Sequence, residues 1–256
     1  MQIGPYEVRD CGDHAYLLSE GFATAYLVVG DERAALLDCG LGIGDMRAAA
    51  EELSGGKPLL LIATHAHEDH VGGMAQFDKM LISEEEAKHV KRITPGARKR
   101  WLRRKQRQGK ADKSVRLFVG GGFPKLEIIK PGDVIDLGGR TLMAFATPGH
   151  TKGSISFYDE KGRRVFAGDA VSTYLFTFLL DSATVTDALN SVEAIGDLQP
   201  DLVWACHHRT PFDKDRLEKV RAALEALCKK KNTLLPGVKR FRLDGVDIFY
   251  RTDKIR

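Results

Sequence analysis

The sequence predicts an α+β four-layer αβ/βα sandwich, two mixed β-sheets packed face to face with helices outside. Two observations carry this expectation. The apolar run Leu59-Leu60-Leu61-Ile62-Ala63 leads into His65, and a second run, Leu202-Val203-Trp204-Ala205, leads into His207. In each half, short strands with turn signals precede the run and helical patterns follow it, so one layout is made twice. With 256 residues the chain can bury a large core, and it reads as a single domain over 1–256.

The elements follow in order. Tyr6 to Leu18 and Thr24 to Val29 read as two strands, with glycine turns near Gly12 and Gly21. Ala34 to Leu37 is a third strand, and Asp45 to Leu53 a short helix stopped by Gly55-Gly56. After the Leu59 strand, a helix is expected to begin around Val71 and run from Met74 to Met80, before a brief strand at Leu81-Ile82. Ser83 is placed to cap the next helix, with Glu86 at the capping-box position. Further strands are expected at Leu126 to Ile129, Asp133 to Leu137, Thr141 to Ala146, Ser154 to Tyr158 and Arg164 to Ala167. Gly138-Gly139 reads as a hairpin turn. Helices are expected from Asp187 to Leu198 and from Asp213 to Lys231, the latter with Leu217, Val220, Leu224 and Leu227 on one face. A last hairpin turns on Asp244-Gly245.

Charge is unevenly distributed. Between Lys88 and Arg116 thirteen Lys or Arg stand against one acid, Asp112, so this segment carries +12 and the remainder −8 of the net +4. Pro95-Gly96 breaks the preceding helix, Ala97 to Gln108 is a basic helical run holding Trp101, and Gly120-Gly121-Gly122 ends the stretch as a hinge. The stretch at about 88–122 therefore reads as an insertion or lid outside the sheet. Two interpretations of its charge stand: a patch that attracts an anionic substrate or nucleic acid, or a solvated face or contact with the acidic body of a neighbouring copy, as in a homodimer. The four cysteines show no CxxC spacing, which argues against a disulfide framework. No signal peptide and no stretch able to span a bilayer is visible, so a cytoplasmic protein without membrane attachment is expected.

The chemistry concentrates in His65-Ala66-His67-Glu68-Asp69-His70. Imidazoles and carboxylates are the ligands of Zn²⁺ and similar ions. Alternate residues of an extended chain point the same way, so His65 and His67 can grip one ion together. Asp69 and His70 fall where the chain turns into a helix and can face a second. Three later turns add candidates: Thr147-Pro148-Gly149-His150-Thr151, Phe166-Ala167-Gly168-Asp169-Ala170 and Ala205-Cys206-His207-His208-Arg209.

Together these stretches resemble the metallo-β-lactamase-fold hydrolase superfamily, whose signature is HxHxDH, a His in a TPGHT-like turn, an Asp in a GD turn and a His after an apolar strand. Leu36-Leu37-Asp38-Cys39-Gly40 is similar to the family's first motif, with Cys39 where Thr is commoner. The resemblance implies that His65, His67 and His150 hold one divalent ion and that Asp69, His70 and His207 hold another, with Asp169 bridging. His208 is the alternative last ligand, or a proton donor. Asp38 would orient a ligand histidine or brace its loop. Two ions per chain are implied, Zn²⁺ first, with Fe or Mn as alternatives.

Such a pair would activate a bridging hydroxide against an ester, lactone or thioester of a small anionic molecule, as in the glyoxalase II and lactonase branches. Asp69, Tyr174 and His208 are the candidate catalytic groups, Tyr174 as a donor to a substrate oxygen or leaving group from an aromatic run lining the pocket. Two other activities are compatible with the motifs: a phosphodiesterase or nuclease that uses the basic segment as a binding arm, and a mononuclear iron enzyme like the persulfide dioxygenases.

Overall fold

A computed structural model describes residues 1–21, 24–109, 113, 115–118, 122–233 and 235–256. Asp112, the single acid of the basic stretch, and Gly120-Gly121 of the expected hinge lie outside the described residues. The chain divides into two compact units, one of residues 1–130 with 135–141, the other of residues 131–134 with 142–256.

The first unit is built on an eight-stranded sheet whose spatial order follows the sequence. Its strands are β1 (Gln2–Ile3), β2 (Tyr6–Gly12), β3 (Ala15–Ser19), β4 (Thr24–Val29), β5 (Ala34–Leu37), β6 (Leu59–Ile62), β7 (Lys79–Ile82) and β8 (Lys125–Ile128). β1 to β5 pair antiparallel, and β5 to β8 parallel. Parallel neighbours need crossovers, and these carry α1 (Met46–Leu53), α2 (Glu68–Val71), α3 (Glu84–Val90) and α4 (Pro95–Arg107). The basic segment is thus part of the crossover from β7 to β8.

Three expectations change here. The strand expected from Tyr6 to Leu18 is two strands joined at Asp13-His14, both with positive φ. The alternation of burial stops here, none of residues 10–14 being buried, and the break lies beside Gly12, where a glycine turn is expected. The helix expected from Met74 to Met80 is one 3₁₀ turn, Met74–Gln76, followed by β7. Met74, Phe77 and Met80 imitate a helical spacing, but their burial comes from packing beneath the sheet. Ser83 caps α3 by accepting from the Glu86 N–H, yet the Glu86 carboxylate accepts from the backbone N–H of Ala66 at 2.7 Å. The reciprocal half of the capping box is replaced by a bond into the histidine cluster.

The remaining strands are β9 (Val134–Asp136), of which only Val134 belongs to the second unit, and, in the second unit but for Thr141, β10 (Thr141–Ala146), β11 (Ile155–Asp159), β12 (Arg164–Phe166), β13 (Tyr174–Thr177), β14 (Leu202–Trp204), β15 (Val238–Leu243) and β16 (Val246–Arg251). They form a five-stranded ladder in the order β14-β12-β11-β10-β9 and a three-stranded ladder in the order β13-β16-β15. Helices α5 (Val185–Asp197) and α6 (Lys214–Cys228) pack on each other and seal one apolar core, with Leu217, Val220, Leu224 and Leu227 buried as the periodicity predicts. Asp244 and Gly245 both take positive φ, as a tight hairpin turn requires. α5 starts two residues earlier than its sequence pattern indicates, because Thr184 and Asp187 form a complete capping box.

Replacing Thr184 by Ala removes that cap and should lower the unfolding free energy by about 0.5–2 kcal/mol, measured as a shift in the urea midpoint at unchanged slope.

Candidate metal centre

In the first unit the site is assembled on a buried carboxylate. Asp38, just past β5, has a left-handed φ of 64° and is 1% exposed. One of its oxygens accepts from the Thr64 N–H at 2.8 Å. The other accepts from the Thr64 hydroxyl at 2.8 Å and from His70 Nδ1 at 2.8 Å. Since a carboxylate only accepts, His70 carries its proton on Nδ1 and its lone pair on Nε2. The Thr64 hydroxyl hydrogen is committed to Asp38, so His65 Nδ1, 3.0 Å from that oxygen, is the donor to it. The lone pair of His65 is therefore also on Nε2. One carboxylate sets the tautomer of His70 directly and of His65 through Thr64, the arrangement that prepares imidazoles as ligands.

His65 Nε2 and His67 Nδ1 stand 3.1 Å apart. Two nitrogens bound to one tetrahedral zinc at 2.0–2.1 Å would be about 3.3 Å apart, so the spacing fits a shared ion. The pair lies past the end of β6, in a bend rather than in the strand, and the N–H of the intervening Ala66 is held by Glu86. Asp69 and His70 lie in α2, with Asp69 half-buried and His70 fully buried. α2 can stand this close to the 39–41 loop only because Gly72 and Gly73 follow it. A Cβ on either would lie 2.4 Å from a carbonyl oxygen, that of Leu41 or of Cys39. Beneath the same loop the Glu20 carboxylate accepts from the Leu41 and Ile43 N–H groups, while burial pushes its pKa up to about 8.

The second unit supplies a carboxylate between two imidazoles. Asp169 Oδ2 is 3.4 Å from His150 Nε2 and 3.3 Å from His207 Nε2. His150 Nδ1 donates to the Phe176 carbonyl at 2.9 Å, which puts its lone pair on Nε2, facing Asp169. Ser191 and Ser182 donate to the Pro148 and His150 carbonyls at 2.6 and 2.7 Å and fix the turn. His207 has a φ of 64° and a side chain about one third exposed. His150, Asp169 and His207 line one cleft with Ser172, Tyr174, Phe176 and His208.

His208 points to other partners. Its Nε2 is 3.0 Å from the Ser172 hydroxyl and its Nδ1 is 3.4 Å from the Arg216 guanidinium, while Ser172 accepts from the Tyr174 N–H. Arg216 is a donor only, so Nδ1 accepts and Nε2 carries the proton. Burial first, then the charges of Arg216 and His207, lower the His208 pKa to about 4. It is a neutral brace for the loop before β13. Tyr174 sits at the rim, 59% exposed.

Sequence reasoning singled out His65, His67, Asp69, His70, His150, Asp169, His207, His208, Tyr174 and Asp38. The structure gathers five of them, His150, Asp169, His207, His208 and Tyr174, around the cleft of the second unit, and unites Asp38 with His65 and His70 in the first. Thr64, Glu86, Glu20 and Ser172 were missed. Only Glu86 had a visible signal, its place three residues after a helix cap.

Comparison with known proteins agrees with this geometry. A model of the metallo-beta-lactamase superfamily matches residues 18–207. The chain belongs to the metallo-β-lactamase superfamily, a class of metal-dependent hydrolases. Acyl-coenzyme A thioesterase MBLAC2 of Homo sapiens is 29% identical over 212 residues, covering 75% of this chain and 76% of that protein. A hydroxyacylglutathione hydrolase of Acidiphilium cryptum is 25% identical over 211 residues, covering 80% and 67%. The fold is that of a metallo-beta-lactamase from Pontibacter korlensis, with a TM-score of 0.62 at 16% identity over 86% of this chain and 99% of that one.

Two outcomes are expected. Asp38→Ala should weaken metal binding about 10–100-fold in a chelator competition, because His65 and His70 lose the acceptor that orients them. For His208 the folded pKa lies below the ordinary 6.5, so the unfolded chain takes up the proton first. Stability should therefore hold above pH 6.5 and fall as pH drops towards about 4, and His208→Gln should flatten that fall in pH-dependent melting curves.

Proposed function

We propose that the chain hydrolyses a thioester of a small anionic molecule at a dinuclear centre, with Zn²⁺ the first choice of ion. His65, His67 and His150 would hold one ion, Asp69, His70 and His207 the other, and Asp169 would bridge them. The observation that carries this reading is the Asp169 oxygen standing 3.4 and 3.3 Å from two imidazole nitrogens. Both spacings are near the edge of a tetrahedral coordination shell, and a single oxygen at the corner of two such edges is what a bridging carboxylate needs. The tautomers set by Asp38 and by the Phe176 carbonyl support it independently.

When bound, the ions would supply an acidified water and positive charge for the oxyanion. The residues of the chain do the rest. Asp38 and Thr64 keep the imidazoles in their ligand tautomers. Asp169 adds negative charge where two cations would repel. Tyr174, at the rim of the cleft, can donate from its phenol to the substrate oxygen or to the departing thiolate. His208, neutral, holds the loop that presents Tyr174. In the net reaction water adds its oxygen to the acyl carbon and the carbon–sulfur bond breaks, giving a carboxylic acid and a thiol. A thioester is favoured over an ester or lactone because MBLAC2 is named an acyl-coenzyme A thioesterase and the Acidiphilium relative a hydroxyacylglutathione hydrolase.

Metal analysis of the purified protein should give two divalent ions per chain, and thiol release from acyl-CoA or acylglutathione should fall by at least about 100-fold in His67→Ala. Silence across both thioester classes in the metal-loaded protein would overturn the reading.

A further inference from the structure

We propose that the outer face of α4 is the docking surface for the phosphates of a coenzyme A thioester; this rests on the thioesterase reading above and narrows its substrate class. The face is made by Lys99, Arg100, Arg103, Arg104 and Arg107, all exposed, while Ala97, Arg98 and Leu102 turn inward. α4 contains no acidic residue, and none of these five cations forms an ion pair with a described residue.

The other helices show what an ordinary solvent face looks like in this protein. On α1, Arg47 pairs with Glu51 at 2.9 Å. On α3, Lys88 pairs with Glu85 at 2.5 Å. On α6, Arg221 pairs with Glu218 and Glu225, and Lys229 with Glu225. Each places an acid three or four positions from its base, the spacing that stabilises a helix. α4 does the reverse. Arg100, Arg103, Arg104 and Arg107 are like charges at just those spacings, which disfavours the helix unless an anion relieves them.

The helix is nonetheless held firmly and close to the metal ligands of its own unit. Thr94 caps it and Pro95 occupies its first turn. Leu102 packs with Leu41 and Ile43, and buried Arg98 donates to the Leu41 and Phe118 carbonyls. α4 also packs against α2, which carries Asp69 and His70. The arginine row therefore faces solvent from a well-anchored helix whose inner side packs against the element that carries Asp69 and His70.

Its chemistry selects phosphate. Guanidinium groups bind phosphate oxygens in pairs, with a geometry that ammonium groups lack. From Arg100 to Arg107 the helix rises about 10 Å, a spread that suits a diphosphate together with a separate monophosphate. Coenzyme A carries both on one nucleotide, whereas glutathione offers carboxylates only.

The test uses the metal-loaded full chain and a variant with Arg100, Arg103, Arg104 and Arg107 each changed to Gln. Binding of coenzyme A itself, followed by calorimetry, should weaken at least tenfold in the variant and should weaken with salt in the wild type. The ratio of kcat/KM for an acyl-CoA to that for the same acyl group on N-acetylcysteamine, which has no phosphate, should fall at least tenfold. Returning the four positions to Lys should restore part of the affinity, a recovery that general damage to the fold would not allow. An unchanged coenzyme A affinity in the Gln variant overturns the proposal, as does tight binding of single-stranded RNA with none of coenzyme A. If no thioester is hydrolysed at all, the thioesterase reading fails separately, and coenzyme A binding still decides this one.

Discussion

A carboxylate buried at the end of a strand is the interaction on which the histidine cluster of the first unit depends. Asp38 costs desolvation free energy to bury, and it is tolerable only because Thr64 and His70 direct three donors at it. The donors gain as much from the arrangement as Asp38 does. Each imidazole proton taken by a fixed acceptor leaves the opposite nitrogen with its lone pair, and the acceptor thereby decides where the ligand atom lies. In the second unit a main-chain carbonyl, that of Phe176, has the same effect on His150. The direction of each nitrogen lone pair is thus a consequence of hydrogen bonds made on the far side of the ring.

The glycines near the cluster belong to the same constraint. α2 is only four residues long and cannot be stable on its own, so its position comes from the main-chain contact that Gly72 and Gly73 permit with the 39–41 loop. Glu86 and Glu20 then hold backbone N–H groups on either side of it, at Ala66 and at Leu41 and Ile43. The histidine stretch is short of regular structure, and polar side chains from other elements hold it where a longer helix otherwise would.

Much of this was legible in the residues. His65, His67, Asp69 and His70 stand out because several ligand types crowd six positions, and β5, β10 and the face of α6 announce themselves by periodicity. His150, Asp169 and His207 were individually weak and became readable only as an ordered set. What escaped had a physical reason. Met74, Phe77 and Met80 share a spacing with helices although two of them precede or enter strands. Thr64 and Ser172 act through a single hydroxyl, and nothing in sequence separates such a hydroxyl from one that faces water. The pairing of Glu86 with Ala66 is a contact twenty positions apart, beyond any local pattern.

His207 has one further consequence. A side chain other than glycine in the left-handed region costs about 1–2 kcal/mol, and the turn from Cys206 to His208 holds it only while its neighbours leave no alternative. The left-handed backbone at His207 therefore stores a small strain in the turn that follows β14. Opening of this turn alone would recover that energy, whereas opening α5 or α6 would expose an apolar core.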